Sequence, residues 1–161
     1  MTVRHFLTTQ DYSRAEIDAL LAQDDTTSGR EHALFARAAI PTEAGKAAAW
    51  ASMWDSEELT NSQLEQAVHG FVRVADAALL APYVDRYFAD VEALWAERSF
   101  ALAEPIALGA YPRPVASEAL ATAAHAWLDA RPDAAAPLRR LVRENLSRTE
   151  RALTAQARDR A

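Results

Sequence analysis

The sequence predicts an all-α protein, and three observations carry this prediction. Helix-start signals recur at short intervals along the 161 residues. Apolar residues repeat with helical spacing, and no alternating strand pattern of useful length occurs. The chain has only four glycines and seven prolines, too few for a turn-rich β fold. Half of its residues are hydrophobic, and much of that half is alanine, which favours helix. About eight helices joined by short linkers predict stacked antiparallel pairs, an α-solenoid or HEAT-like architecture.

Four helices are expected in the first half of the chain. Three of them begin with a capping box, in which a Ser or Thr accepts an N–H and a Glu or Gln three residues later reaches back. The boxes are Ser13 to Glu16, Ser28 to Glu31 and Thr60 to Gln63. Thr42 caps the remaining segment. The apolar faces that follow contain Ile17, Leu20 and Leu21; Leu34, Phe35 and Ala38; Ala47, Trp50, Ala51 and Trp54; and Leu64, Val68 and Phe71.

The clearest helix begins near Pro82, a favourable first-turn residue because its missing N–H is not needed there. Val84, Phe88, Val91 and Trp95 then follow at i, i+4, i+7 and i+11, flanked by Tyr87 and Leu94. This spacing predicts one buried face extending over more than three turns.

Three more helices complete the series. One is expected from Ser99 to Leu108, with a kink at Pro105. Ser117 caps the next helix, which breaks at Pro132. The last helix should run from about Ala136 almost to the C-terminus.

Composition excludes several classes of protein. The net charge of −6 argues against nucleic acid as a partner. No apolar run is long enough to span a membrane, since about 18 consecutive residues are needed. The first residues lack the apolar region of a signal peptide. Cysteine is absent, which excludes disulfides and fits a cytoplasmic protein.

No complete catalytic, cofactor-binding or metal-binding site is predicted, and no residue is assigned to one. The histidines are His5, His32, His69 and His125. None has the H-E-x-x-H spacing of a zinc helix. Glu65 and His69 are four residues apart, which favours a pair on the helix surface because two ligands do not make a metal site. We expect His125 to be packed and hydrogen-bonded rather than catalytic.

Adjacent carboxylates and tryptophans also have plain structural interpretations. Asp24 and Asp25, like Glu57 and Glu58, precede helix starts, where negative charge is favourable. Their side chains diverge and make poor acid–base pairs. All four tryptophans lie on predicted apolar faces, which favours core packing over an exposed aromatic platform. They are Trp50, Trp54, Trp95 and Trp127.

The last predicted helix is locally basic. The arginines in and just after this helix are Arg139, Arg140, Arg143, Arg148, Arg151, Arg158 and Arg160. They outnumber Glu144, Glu150 and Asp159. Two interpretations remain open, a docking face for an acidic partner and a solvated helix whose last-turn arginines suit the helix dipole.

Several blocks of sequence resemble a known family. From about residue 17 the chain is similar to the C-terminal helical domain of actinobacterial-type aminopeptidase N, a zinc metallopeptidase of the gluzincin class. The blocks lie at residues 22–30, 38–50, 79–88, 95–98, 108–112, 138–142 and 150–153. They cover roughly nine-tenths of the chain in the order that the family has.

The resemblance implies a role without chemistry. In such enzymes this region is a stack of helix pairs that closes over the catalytic domain and walls the peptide chamber. The zinc and the removal of N-terminal residues from peptides belong to H-E-x-x-H and G-x-M-E-N motifs, which this chain lacks. The expected partner is the aminopeptidase catalytic domain, or a second copy docking through Leu20, Leu21 and Leu34. The alternative is an independent helical-repeat interaction module.

The first residues differ from the rest. Residues 1–16 resemble the start of ornithine carbamoyltransferase, although that family's S-T-R-T motif is absent. This divides the chain into an N-terminal extension over residues 1–16 and an aminopeptidase N-like helical domain over residues 17–161. A carbamoyltransferase-derived regulator is a further alternative, which rests on this stretch alone.

Overall fold

A computed structural model of the chain describes residues 13–55 and 58–160. Within these residues it contains eight α-helices, two short 3-10 helices and no strand. The α-helices are α1 (Arg14–Leu21), α2 (Thr27–Ala39), α3 (Glu43–Trp54), α4 (Asn61–Phe71), α5 (Tyr83–Glu97), α6 (Phe100–Gly109), α7 (Glu118–Ala130) and α8 (Ala136–Asp159). The 3-10 helices are Ala77–Leu80 and Arg113–Val115. The all-α prediction is therefore confirmed, and α6 extends through Pro105.

The described residues divide into two compact units, with the boundary between Leu79 and Leu80. In the first unit each of the helices α1 to α4 packs against the next, and α2 also packs along α4. Helix α2 is consequently the central helix of this unit. The buried apolar residues of the first unit are Ile17, Ala33, Ala38, Ala39, Ala49, Trp50, Met53, Leu64, Ala67, Val68 and Phe71.

Helices α2 and α4 approach closely at Gly70. A Cβ added to Gly70 would overlap the carbonyl oxygen of Phe35 and lie 2.9 Å from the Cβ of Ala38. Both obstacles belong to α2, and the first is backbone that no rotamer change can move. The absence of a side chain at Gly70 thus sets the distance between these helices.

In the second unit α5 packs against α6 and α7, while α8 packs against α6, α7 and the 3-10 helix Arg113–Val115. Tyr87, Phe88 and Tyr111 meet edge to face at its centre, with ring centroids 5.2 to 6.0 Å apart. Such geometry suits the aromatic quadrupole. The buried apolar face of α8 contains Leu138, Leu141, Val142 and Leu146.

Most helix starts agree with the predicted caps. The boxes at Ser13 and Thr60 form, and the Thr42 and Ser117 hydroxyls accept backbone N–H groups. The box predicted over residues 28–31 is wrong. Helix α2 begins two residues earlier, at Thr27, because the extended Thr26 caps it in place of Ser28 and its hydroxyl accepts the Gly29 N–H at 3.0 Å.

The buried face of α5 is rotated from the predicted one. Tyr83, Tyr87, Phe88, Val91 and Leu94 are its buried residues, whereas Val84 and Trp95 are only half-buried. The prediction that Trp95 lies in the core is therefore wrong. Tyr83, Tyr87 and Leu94 satisfy the same i, i+4, i+11 spacing. Burial of Tyr87 is possible because its hydroxyl donates to the Ala107 carbonyl at 2.5 Å.

Candidate functional site

Side chains from other helices close the C-terminal ends of four helices, α2, α4, α6 and α7. Many helices end with a residue in the left-handed conformation, usually glycine, which satisfies the last carbonyls. No described residue has a positive φ. The carbonyls at these ends accept instead from buried or half-buried polar side chains, which are therefore the candidates for a functional role.

Lys46 is the most unusual of these side chains. It lies in α3 and is fully buried. Its Nζ donates to the Ala38 carbonyl of α2 at 2.8 Å and to the Phe71 carbonyl of α4 at 2.9 Å. The Gly70 and Arg73 carbonyls lie farther away, at 3.3 and 3.5 Å. One ammonium thus joins the C-terminal ends of two helices, where positive charge is favourable.

Opposing effects act on the Lys46 charge. Burial lowers the pKa of its ammonium to about 8. The carbonyl oxygens, the two helix ends and the Phe71 ring, whose centroid is 5.8 Å from Nζ, favour the charged form. In the described part of the chain the hydrogen-bond partners of Nζ are all main-chain carbonyls. Lys46 is consequently a structural donor rather than a catalytic amine.

A second buried polar cluster closes the end of α6. Tyr87 donates to the Ala107 carbonyl, and the Asn145 amide donates to the Leu108 carbonyl at 3.0 Å. Burial raises the pKa of Tyr87 well above its usual range, so the phenol stays protonated as a donor. The helix C-terminus is therefore satisfied by side chains from α5 and α8.

Tyr111 and Thr149 extend this cluster. Their hydroxyls lie 3.3 Å apart, and the Thr149 hydroxyl lies 3.2 Å from the Asn145 carbonyl, four residues earlier in α8. Burial, followed by the Glu150 charge, raises the pKa of Tyr111 against the opposing hydrogen bond with Thr149. This polar network fixes how α8 lies against the segment after α6.

The end of α7 is closed in the same way. The Arg139 guanidinium donates to the Leu128 carbonyl at 2.7 Å and also to the Arg131 carbonyl. Arg131 in turn pairs with Glu92 at 2.7 Å and lies over the Trp127 ring, 5.4 Å from its centroid. These groups tie α5, α7 and α8 together.

The sequence candidates for chemistry do not converge in the described part of the chain. Glu65 and His69 are both exposed on α4. The prediction of a packed His125 is wrong, because its side chain is 59% exposed, although its Nε2 lies 3.1 Å from a Glu150 carboxylate oxygen. No described group of three or more His, Cys, Asp or Glu residues could hold a metal ion. His5 and Glu57 lie outside the described residues.

The paired aspartates lie where the sequence predicts. Asp24 and Asp25 precede α2. The Asp24 carboxylate accepts from the Thr26 hydroxyl at 2.9 Å, and Asp25 pairs with Arg30 at 2.6 Å. The Arg30 guanidinium lowers the pKa of the Asp25 carboxyl through a hydrogen bond and through its charge.

The tryptophans divide into two groups. Trp50 and Trp127 are buried, as predicted. Trp54 is half-buried and stacks on Trp50 at a centroid distance of 3.7 Å. Trp95 meets Phe100 edge to face at 5.6 Å, and Phe100 is 55% exposed.

One signal in the sequence pointed to the Lys46 site and was missed. Lys46 is the single lysine among 17 lysines and arginines. The other 16 of these residues are arginines. A compact ammonium at the end of a flexible stem reaches a buried point where a planar guanidinium would not fit as readily.

Comparison with known proteins gives the class and then the family. Aminopeptidase N of Streptomyces lividans is 46% identical over 151 residues, which are 93% of this chain and 17% of that protein. The chain is accordingly a domain of an aminopeptidase N-like protein. The family model for the ERAP1-like C-terminal domain matches residues 3–151, and the chain belongs to this family.

The match bears on the predicted boundaries without testing them. It begins at residue 3, inside the predicted N-terminal extension. Residues 1–12 lie outside those that the structure describes. The division at residue 16 therefore stays a prediction, as does the HEAT-like character of the repeats.

Proposed function

We propose that this chain acts as the C-terminal helical domain of an aminopeptidase N-like zinc metallopeptidase, covering the catalytic domain and walling the peptide chamber. The observation that carries the proposal is the 46% identity over 93% of the chain. The chain spans 17% of the length of that relative, so the larger part of such an enzyme lies outside it. The match favours this role over an independent helical-repeat module.

In the proposed enzyme the zinc belongs to the remainder of the protein. A catalytic zinc site takes three protein ligands and keeps one position open for water or substrate. The described residues offer no group that fits this requirement. We therefore assign zinc binding and peptide hydrolysis to the catalytic domain, and we expect the isolated chain to be catalytically incomplete.

The proposed partner is the catalytic domain of the enzyme, or a second copy of the chain where that domain is missing. Leu20 and Leu21 are half-buried against the core formed by Ile17 and Ala33, so part of their apolar surface stays accessible. A partner covering this surface would complete its burial. The absence of cysteine fits a cytoplasmic location. No described helix is long and apolar enough to cross a membrane.

The test supplies the chain to an enzyme that lacks it. Streptomyces lividans aminopeptidase N is truncated to remove the segment that this chain matches, and aminoacyl-nitroanilide hydrolysis is measured with and without the chain. We expect the chain alone to be inactive and to raise the activity of the truncated enzyme in a saturable manner. Hydrolysis by the chain alone, or no change in the truncated enzyme over a titration to excess, would contradict the proposal.

A further inference from the structure

Positive charge is concentrated on α8 although the protein as a whole is acidic. Helix α8 carries six arginines and three carboxylates, whereas the whole chain has a net charge of −6. The arginines are Arg139, Arg140, Arg143, Arg148, Arg151 and Arg158. A helix of this kind stands apart electrostatically from the rest of the chain.

Little of this charge is neutralised within the described residues. Arg139 is used to close α7, and Arg140 lies 3.8 Å from Glu144 in an exposed pair of small energetic value. The four other arginines of α8 form no ion pair with a described residue. In contrast, three arginines outside α8 pair closely with carboxylates. These pairs are Arg30 with Asp25, Arg37 with Asp18 and Arg131 with Glu92, at 2.6 to 2.7 Å.

Five of the six arginines share the exposed side of the helix, and among these five only Arg140 has a described carboxylate nearby, that of Glu144. Arg140, Arg151 and Arg158 follow at i, i+11 and i+18, which places them along one ridge. Exposed Arg143 and Arg148 flank this ridge. The opposite side of α8 holds its buried residues, so the basic ridge faces solvent. We refer to Arg140, Arg143, Arg148, Arg151 and Arg158 as the α8 basic face.

A further arginine adjoins this face. Arg113 is half-buried in the 3-10 helix that packs against α8. Burial, followed by the positive charge of Arg148, lowers the pKa of Arg113. Two like charges are thus held together with no carboxylate of the described residues pairing with either. An anionic partner would relieve this repulsion.

We propose that the α8 basic face docks onto an acidic surface in the part of the aminopeptidase N-like polypeptide that lies outside this chain. This inference rests on the proposed function. Because the two parts would be covalently linked in such an enzyme, a high effective concentration makes modest electrostatic attraction sufficient. The matched segment is only 17% of the relative's length, so the rest of such a polypeptide is large enough to carry the acidic surface.

Other occupants fit the face less well. A membrane surface would require large apolar side chains beside the arginines, and the ridge holds Ser147, Thr154 and Ala155 instead. A nucleic acid would be repelled by the net charge of −6, and so would a second copy of the chain. An acidic segment of the same polypeptide would be held beside the face by the covalent linkage, so the local positive field acts on it despite the net charge of −6.

The test compares matched charge reversals. Arg143→Glu/Arg151→Glu reverses two charges on the face, while Arg73→Glu/Arg86→Glu reverses two exposed charges outside α8 and α1 and changes the net charge equally. Binding to the truncated Streptomyces lividans enzyme is measured by titration calorimetry at low and high salt. Each variant is first checked by circular dichroism for unchanged helicity and unfolding midpoint.

We expect the reversals on the α8 basic face to weaken binding about tenfold or more, and the control to change it less than about twofold. Wild-type binding should weaken with salt, because the Debye length falls from about 10 Å at 0.1 M to about 3 Å at 1 M. Equal binding by all three proteins would overturn the docking surface and leave the proposed function standing.

Three simpler probes separate the remaining outcomes. These are a labelled oligoglutamate peptide, phosphatidylserine vesicles and a short DNA duplex. We expect salt-sensitive binding to the peptide alone, lost in the Arg143→Glu/Arg151→Glu variant. Preference for vesicles or DNA would overturn the acidic-polypeptide assignment. Peptide binding without binding to the truncated enzyme would overturn the assigned occupant and count against the proposed function as well.

Discussion

Replacing Lys46 by methionine tests the physical account of the first unit. Methionine has a similar length and fills similar space, but it donates no hydrogen bond. The Ala38 and Phe71 carbonyls, now 2.8 and 2.9 Å from Nζ, would remain buried without this donor. The two helix ends would also lose the positive charge that lies between them.

The expected magnitude follows from two opposing contributions. Each orphaned carbonyl costs about 1–3 kcal/mol, so the pair costs about 2–6 kcal/mol. Removing a buried charge recovers about 3 kcal/mol, since burial lowers the Lys46 pKa from 10.5 to about 8 and each unit is worth about 1.4 kcal/mol. The difference runs from a gain of about 1 to a loss of about 3 kcal/mol. Because both carbonyls stay buried in the variant and the two helix ends also lose the positive charge between them, we expect the upper part of this range, a net loss of about 1–3 kcal/mol at neutral pH.

Urea unfolding followed by far-UV circular dichroism measures this change, provided that the dependence on urea concentration stays the same. Arg140→Met is the matched control because its side chain is 63% exposed, and we expect it to alter stability by less than about 0.5 kcal/mol. A Lys46→Met protein as stable as the wild type, or more stable, would refute the reasoning. Desolvation of the ammonium would then outweigh its hydrogen bonds, as occurs in some buried ion pairs.

Further predictions concern pH, packing and accessibility. Between pH 8 and 10.5 Lys46 is neutral in the folded chain but still protonated in the unfolded chain. The free energy of unfolding of the wild type, measured in urea titrations relative to Lys46→Met, should therefore rise by about 3 kcal/mol over this range. Gly70→Ala should cost about 1–3 kcal/mol through overlap with α2, whereas Glu65→Ala on the exposed face of α4 should cost little; equal effects would contradict the close approach. Trp127→Ala should cost about 3–5 kcal/mol and half-buried Trp95→Ala clearly less, and the reverse order would contradict the assigned faces. An amine-reactive reagent followed by mass spectrometry should label Lys46 only as the first unit unfolds, and rapid labelling of the native protein would contradict its burial.

Local chemistry made much of the fold predictable. Cap residues such as Thr42 and Thr60 act through atoms only three residues away, so their effect is visible in the sequence. Thr26 shows the limit of that approach. A Thr and a Ser two residues apart are both able to cap α2, and the chain uses the earlier one because Thr26 is extended there.

Buried polar residues were harder to predict because their partners are distant in sequence. Lys46 donates to carbonyls 8 and 25 residues away, and a lysine on a helix is normally solvated. The misplaced face of α5 has the same origin. Tyr87 is buried because a carbonyl of α6 accepts its hydroxyl, 20 residues further along the chain, and the periodicity of α5 alone does not contain that information.

The central claim is that this chain is a working C-terminal domain of an aminopeptidase N-like enzyme. Its most direct test is a chimera in which the chain replaces the matched segment of Streptomyces lividans aminopeptidase N. We expect kcat/KM for aminoacyl-nitroanilides to stay close to that of the parent enzyme and well above that of the deletion variant. A chimera that is fully folded by circular dichroism, yet no more active than the deletion variant, would contradict the claim.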